Sequence, residues 1–134
     1  MFAAYPILAA DSVSEAEVDA LEQQLGVPLP KSYREFVLRF GGAMVGSQPV
    51  YGLRTSEVMG VDDTIAAQTA FFRRTGWELP ASAIVISDDG RGNPIWLADD
   101  GRVFLTDHDV GDQPLLATSF DAFVMSLLNE SATG

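Results

Sequence analysis

Three groups of side chains in this sequence have types and spacing that can do chemistry. The first is Asp88-Asp89-Gly90-Arg91-Gly92-Asn93, where oxygen ligands surround a central glycine as in part of a calcium loop. An EF-hand requires D-x-D-x-D-G and a closing glutamate, and neither is present; a polar hairpin turn accounts for the same residues. The second is Asp107-His108-Asp109, which sets the single histidine between two carboxylates able to raise its pKa toward a general base. It has no evident nucleophile to serve, since there is no G-x-S-x-G elbow and Ser119 reads as a helix cap. The third is Gly90-Arg91-Gly92, a phosphate-cradle type of sequence. It lacks a Walker lysine and a following helix, and Asp88 and Asp89 beside it repel phosphate. The expectation is no enzyme, no metal and no cofactor.

Composition narrows the field further. The 134 residues suit one domain, 1–134, and the 47% hydrophobic fraction is that of a globular chain. There is no cysteine, which removes disulfides, thiolate metal sites and cysteine nucleophiles together. A single histidine also removes the HExxH zinc helix. The formal net charge is −11, so direct binding to nucleic acid or an anionic membrane is disfavoured. Residues 81–134 hold 9 acids against 2 bases, compared with 10 against 6 in residues 1–80. No apolar run approaches the roughly 20 residues needed to span a bilayer. Residues 1–10 are apolar but carry no preceding base and are interrupted by Pro6, which makes a poor secretory signal. They read as a packed N-terminal segment, and the protein as cytoplasmic.

The elements that would position these side chains are well punctuated. Ser14 and Glu17 form a capping box, and Val13 and Val18 a hydrophobic staple. Val18, Leu21 and Leu25 keep helical spacing up to Gly26. Pro30 then suits the first turn of a second helix, 31–40, whose stripe is Tyr33, Phe36, Val37 and Phe40 before Gly41-Gly42. Residues 43–53 read as a loop entering a strand near Val50–Leu53, and 55–58 as a single turn. Asp62 or Asp63 is expected to cap a third helix, 64–74, with Ile65, Gln68, Thr69 and Phe72 on one face. The period then changes to three short strands at 83–86, 95–98 and 103–106. Asp100-Gly101 predicts a two-residue type I′ turn, which would set Leu97 opposite Phe104 and Trp96 opposite Leu105. After an acidic loop, 107–114, Thr118 or Ser119 caps a last helix bearing Phe120, Phe123, Val124, Leu127 and Leu128. Its tail is expected to fray from Asn129. This order predicts an α+β domain, a mainly antiparallel meander flanked by about four helices.

Binding is the remaining role for the acids. Asp88, Asp89, Asp99, Asp100, Asp107, Asp109 and Asp112 all fall in loops of the meander region. Turns at alternate ends can split them onto two rims; gathered together, they would make one anionic surface that speeds encounter with a cationic protein. A solvated rim is the alternative. Tight inhibition also needs a desolvated anchor, for which Tyr51 and Trp77 are the aromatic candidates, with core packing as their other role.

The succession Leu25-Gly26-Val27-Pro28-Leu29-Pro30, Ser32-Tyr33-Arg34-Glu35-Phe36 and Phe40-Gly41-Gly42 resembles the signature of the SUKH superfamily, the Smi–Knr type of domain. Ile84-Val85-Ile86, Asp89–Leu97, Gly101-Arg102-Val103-Phe104, Asp107-His108-Asp109 and Ser119-Phe120-Asp121-Ala122-Phe123 continue the resemblance over about residues 12–128. It implies an antiparallel sheet flanked by helices and a non-enzymatic role. Bacterial members of this superfamily are typically immunity proteins that bind and block a toxin domain, often a nuclease; fungal members are cell-wall regulators. Leu29, Pro30, Tyr33, Phe36, Phe40, Gly41, Gly42, Gly92 and Asn93 then read as structural. The expected function is a bacterial immunity protein whose partner is a cognate toxin with a basic surface. The alternative is a regulatory scaffold with no toxin partner.

Overall fold

The computed structural model describes residues 7–9, 13–45, 48–53, 64–77, 79–89, 92–107 and 112–133. Helix α1 (Glu15–Leu25) begins with the capping box: the Ser14 hydroxyl accepts from Glu17 N–H at 3.2 Å, and the Glu17 carboxylate accepts from Ser14 N–H at 3.1 Å. It buries Val18, Leu21 and Leu25 and stops at Gly26, whose φ of 76° is the left-handed conformation the stop requires. Helix α2 (Lys31–Phe40) follows Pro30 and ends at Gly41 with φ 69°. A polar clasp joins the two helices. Glu22 accepts from Leu29 N–H at 2.7 Å and from Arg34 at 2.8 Å, while the other arm of Arg34 reaches Asp19 at 2.8 Å.

Two antiparallel sheets follow chain order. The first pairs β1 (Ile7–Ala9), β2 (Ala43–Val45) and β3 (Gln48–Val50) in the order β1-β2-β3. Neither β1 nor β2 is marked in the sequence, and β3 ends where the predicted strand begins. Strands of three residues, one holding Pro49, are too short to display an alternation. Helix α3 (Ile65–Arg74) is capped by Thr64, not by Asp62 or Asp63, which lie outside the described residues together with the turn expected at 55–58. The Thr64 hydroxyl accepts from Ala67 N–H at 3.2 Å.

The second sheet runs β4 (Ile84–Asp88), β5 (Pro94–Leu97), β6 (Val103–Leu105) and β7 (Leu115–Ala117) in the order β4-β5-β6-β7. Strand β5 is buried throughout, so it carries no polar face. The β5–β6 register corrects the sequence reading: Trp96 lies opposite Phe104 and Leu97 opposite Val103. Gly101 has φ 93° but no described non-glycine residue has positive φ, so Asp100 cannot complete a type I′ turn. Instead Gly101 N–H returns to Ala98 C=O at 3.0 Å and Ala98 N–H to Arg102 C=O at 2.9 Å, the bonding of a three-residue loop with a glycine bulge. Helix α4 (Phe120–Thr133) is capped by Ser119, which accepts from Ala122 N–H at 3.1 Å. The helix continues past the predicted fraying point to Thr133. The architecture is α+β, and the described residues form four helices against two antiparallel sheets. No helix among the described residues is long and apolar enough to cross a membrane.

The core explains the aromatic stripe of α2. Tyr33 and Phe36 meet Phe120 of α4 edge-on, at centroid distances of 5.0 and 5.2 Å. Buried Tyr33 donates its hydroxyl to the Tyr51 carbonyl at 2.5 Å, and Tyr51 N–H donates to Ile86 of β4 at 2.7 Å. Next to Tyr51, Gly52 runs against the Gly41-Gly42 backbone so closely that a Cβ would stand 2.7 Å from Gly41 C and 2.8 Å from Gly42 N. This approach explains the glycine at 52, while Gly41 and Gly42 are required by their positive φ of 69° and 141°.

Burial pushes the Tyr33 phenol above its ordinary pKa of about 10. As pH rises past about 10 the unfolded chain therefore loses its Tyr33 proton before the native state does, and stability falls. Tyr33→Phe should cost about 1–3 kcal/mol at neutral pH through the orphaned Tyr51 carbonyl. Urea unfolding across the alkaline range should also show a shallower decline above pH 10 for the variant than for the parent protein.

Candidate functional site

Strand direction decides where the acids stand. Strand β4 ends at Asp88, and Asp89 begins the turn to β5; β6 returns to the same end, where Asp107 and Asp112 form an antiparallel bridge. Asp99 and Asp100 occupy the β5–β6 turn at the opposite end. The carboxylates therefore form two rims and not one surface. Asp109 and His108 lie outside the described residues.

On the first rim the acids brace the fold. Asp88 accepts from the Tyr51 hydroxyl at 2.5 Å. Asp89 accepts from Asn93 N–H at 3.1 Å and from the Asn93 amide nitrogen at 2.8 Å, which holds a 2%-exposed Asn93 in the turn. Asp112 is exposed, and its carbonyl accepts from Asp107 N–H at 2.9 Å. On the second rim Asp99 and Asp100 are exposed. The backbone N–H of Arg102, and then its guanidinium at 2.7 Å, hold the Asp100 carboxyl below the usual carboxylate range. An open groove of about 480 Å³ adjoins this turn where α2 and α4 begin, lined in part by Lys31, Glu35, Asp100, Ser119 and Asp121. Among the described residues, no group of three or more His, Asp or Glu side chains is placed to hold a metal ion.

The aromatic candidates fall differently from their sequence reading. Tyr51 is 2% exposed and belongs to the core, so it is not an exposed anchor; its backbone and hydroxyl are both spent on packing the two sheets together. Trp77 is half-buried and meets Phe72 edge-on at 5.1 Å. Trp96 is buried, with its indole N–H on Thr106 at 2.9 Å. Phe104 stacks on it at 4.8 Å and takes the Arg102 guanidinium on its ring at 5.2 Å. Among the described residues, the large apolar side chains that are open to solvent are Phe71, Leu115 and Leu116, and sequence reasoning named none of them. The signal was slight: Leu115-Leu116 follows a polar loop and precedes a helix cap, with no periodic partner on either side.

The family model of the SMI1 / KNR4 family (SUKH-1) matches residues 12–126. The chain belongs to that family. Membership supports a general immunity or regulatory role for this SUKH-1 domain. A crystal structure of a protein from Pseudomonas syringae pv. tomato has a similar fold, with a TM-score of 0.71 and 20% sequence identity over 92% of this chain and 87% of that one. No curated protein matches the chain. The residues that carry the SUKH-1 resemblance have structural work here. Leu29, Tyr33 and Phe36 are core, Gly41 and Gly42 receive Gly52, and Asn93 ties the β4–β5 turn.

The Tyr51–Asp88 bond should behave as one unit. Tyr51→Phe and Asp88→Ala are each expected to destabilise the domain. The double variant should be about 1–2 kcal/mol less destabilised than the sum of the singles, as read by a denaturation double-mutant cycle.

Proposed function

We propose that this protein is a bacterial immunity protein that binds a cognate toxin domain, most suitably a basic nuclease, and occludes its working surface without chemistry of its own. The observation that carries this reading is the charge: a SUKH-1 domain of net −11, with acids concentrated in the turns at both ends of one sheet. A nuclease must present cations to phosphate, and a surface of the opposite sign is drawn to those cations during encounter. The same charge keeps the inhibitor off nucleic acid, so it does not compete for the toxin's substrate. Such a protein would act in the cytoplasm, where an incoming nuclease meets its target.

The test is survival. Cells producing the toxin domain encoded beside this protein should grow only when this protein is co-expressed, and equal killing with and without it would sink the reading for that pair. The two rims can then be separated. Lysine at Asp88 and Asp89, or lysine at Asp99 and Asp100, should slow toxin association at low salt by about tenfold or more for whichever rim faces the toxin. The Asp99/Asp100 pair is the cleaner probe, because those carboxylates are exposed while Asp88 and Asp89 also brace the fold. Association unchanged by both reversals would remove the acidic turns from the partner face.

A further inference from the structure

We infer that the outer edge of β7 is a docking edge for an extended, basic segment of a partner protein, which would add to the second sheet as a fifth strand. This inference deepens the toxin-binding reading and rests on it. Strand β7 is the last in its sheet and is bonded only to β6 among the described strands. Leu115 and Leu116 are 47% and 42% exposed, and the β6–β7 register shifts between Leu115 and Ala117, which leaves Leu116 as an extra residue without a register partner on β6. The middle of the strand is open to solvent.

The backbone is aligned for pairing at Leu115, ahead of the register shift at Leu116. The Pro114 carbonyl is taken by Leu105 N–H at 3.1 Å, and Phe104 is the register partner of Leu115. By the alternation of an antiparallel ladder, the N–H and C=O of Leu115 then turn to the open side. Edge strands are blunted by shortness, by a bulge, or by a lysine or a proline within the strand. Strand β7 is short and has its extra residue at Leu116, but it contains neither lysine nor proline, which leaves the stretch around Leu115 open to pairing.

Charge selects the occupant. Exposed Asp112 precedes the strand, and the groove immediately after it, which Thr118 and Ser119 help to line, sets Glu35, Asp100 and Asp121 against Lys31. An apolar centre with acids at both ends complements a segment with apolar residues in the middle and bases at its ends. A second copy fits poorly: antiparallel β7–β7 pairing would bring Asp112 of each copy toward the Asp100 and Asp121 end of the other, setting like charges together.

The full chain can be titrated with a short synthetic peptide of alternating lysine and valine, and with its glutamate–valine counterpart, observing backbone amides by NMR. The basic peptide should shift the Leu115–Ala117 amides and slow exchange of the Leu115 amide, and the acidic one should do neither. Leu115→Pro removes the outward N–H and leaves the β6 side of the ladder, so binding should weaken about tenfold, the size of one lost hydrogen bond. Its unfolding midpoint should match that of the parent protein. If that variant does not fold, Leu116→Lys should weaken binding by placing a like charge before the basic peptide. Three results would overturn the proposal: no binding, shifts confined to the acidic turns with Leu115 exchange unchanged, or a dimer that Leu115→Pro dissociates. Full toxin protection by Leu115→Pro would also remove the edge while leaving the immunity reading intact. Failure of the parent protein to protect would do the reverse, because the peptide titration needs no toxin.

Discussion

Tyr51 is the residue through which the two halves of this fold are held in one arrangement. Its carbonyl takes the buried Tyr33 hydroxyl, its N–H reaches Ile86 in the second sheet, and its own hydroxyl reaches Asp88 at the end of β4. A helix, the end of the first sheet and the first strand of the second are thereby referred to a single peptide. Gly52, the next residue, is pressed on the Gly41-Gly42 turn and passes its carbonyl to Ile65 N–H at the start of α3. Since buried backbone groups must be bonded, the path of the chain between the sheets has little freedom. Ser87 adds to the same junction by donating its hydroxyl to the Pro49 carbonyl at 2.5 Å.

That junction also governs the acidic surface. Asp88 stands at the rim because Tyr51 holds it there, and Asp89 stands beside it because it closes the turn on Asn93. These carboxylates are structural acceptors and sources of negative potential at once. Asp99 and Asp112 are exposed, and charge at such positions contributes to the field around the protein more than to its stability. Strand β7 lies between the two ends, and its Leu115 and Leu116 are exposed apolar side chains beside the acidic turns.

How much could be read beforehand varies with the range of the interactions. The capping box at Ser14, the stop at Gly26, the stripe of α2 and the cap of α4 depend on residues within one or two turns of each other, and all were legible. The α3 cap was misplaced by one or two residues because Asp62, Asp63 and Thr64 are all competent caps, and the choice belongs to the contact between Gly52 and Thr64. The β5–β6 register slipped for a related reason. Asp-Gly suits a two-residue turn, yet Trp96 gains its stack on Phe104 only through the three-residue loop.

The sequence by itself determined the helices, the β-rich second half, the excess of negative charge and the family resemblance, because each rests on local spacing or simple composition. Only the tertiary structure decided that β1, β2 and β7 exist, that Tyr51 is core, that the acids form two rims, and that Leu115 and Leu116 face water. Three-residue strands have almost no pattern of their own. They exist because a partner far along the chain offers hydrogen bonds, and the side of a sheet end on which an acid stands follows from the direction of the strand that carries it.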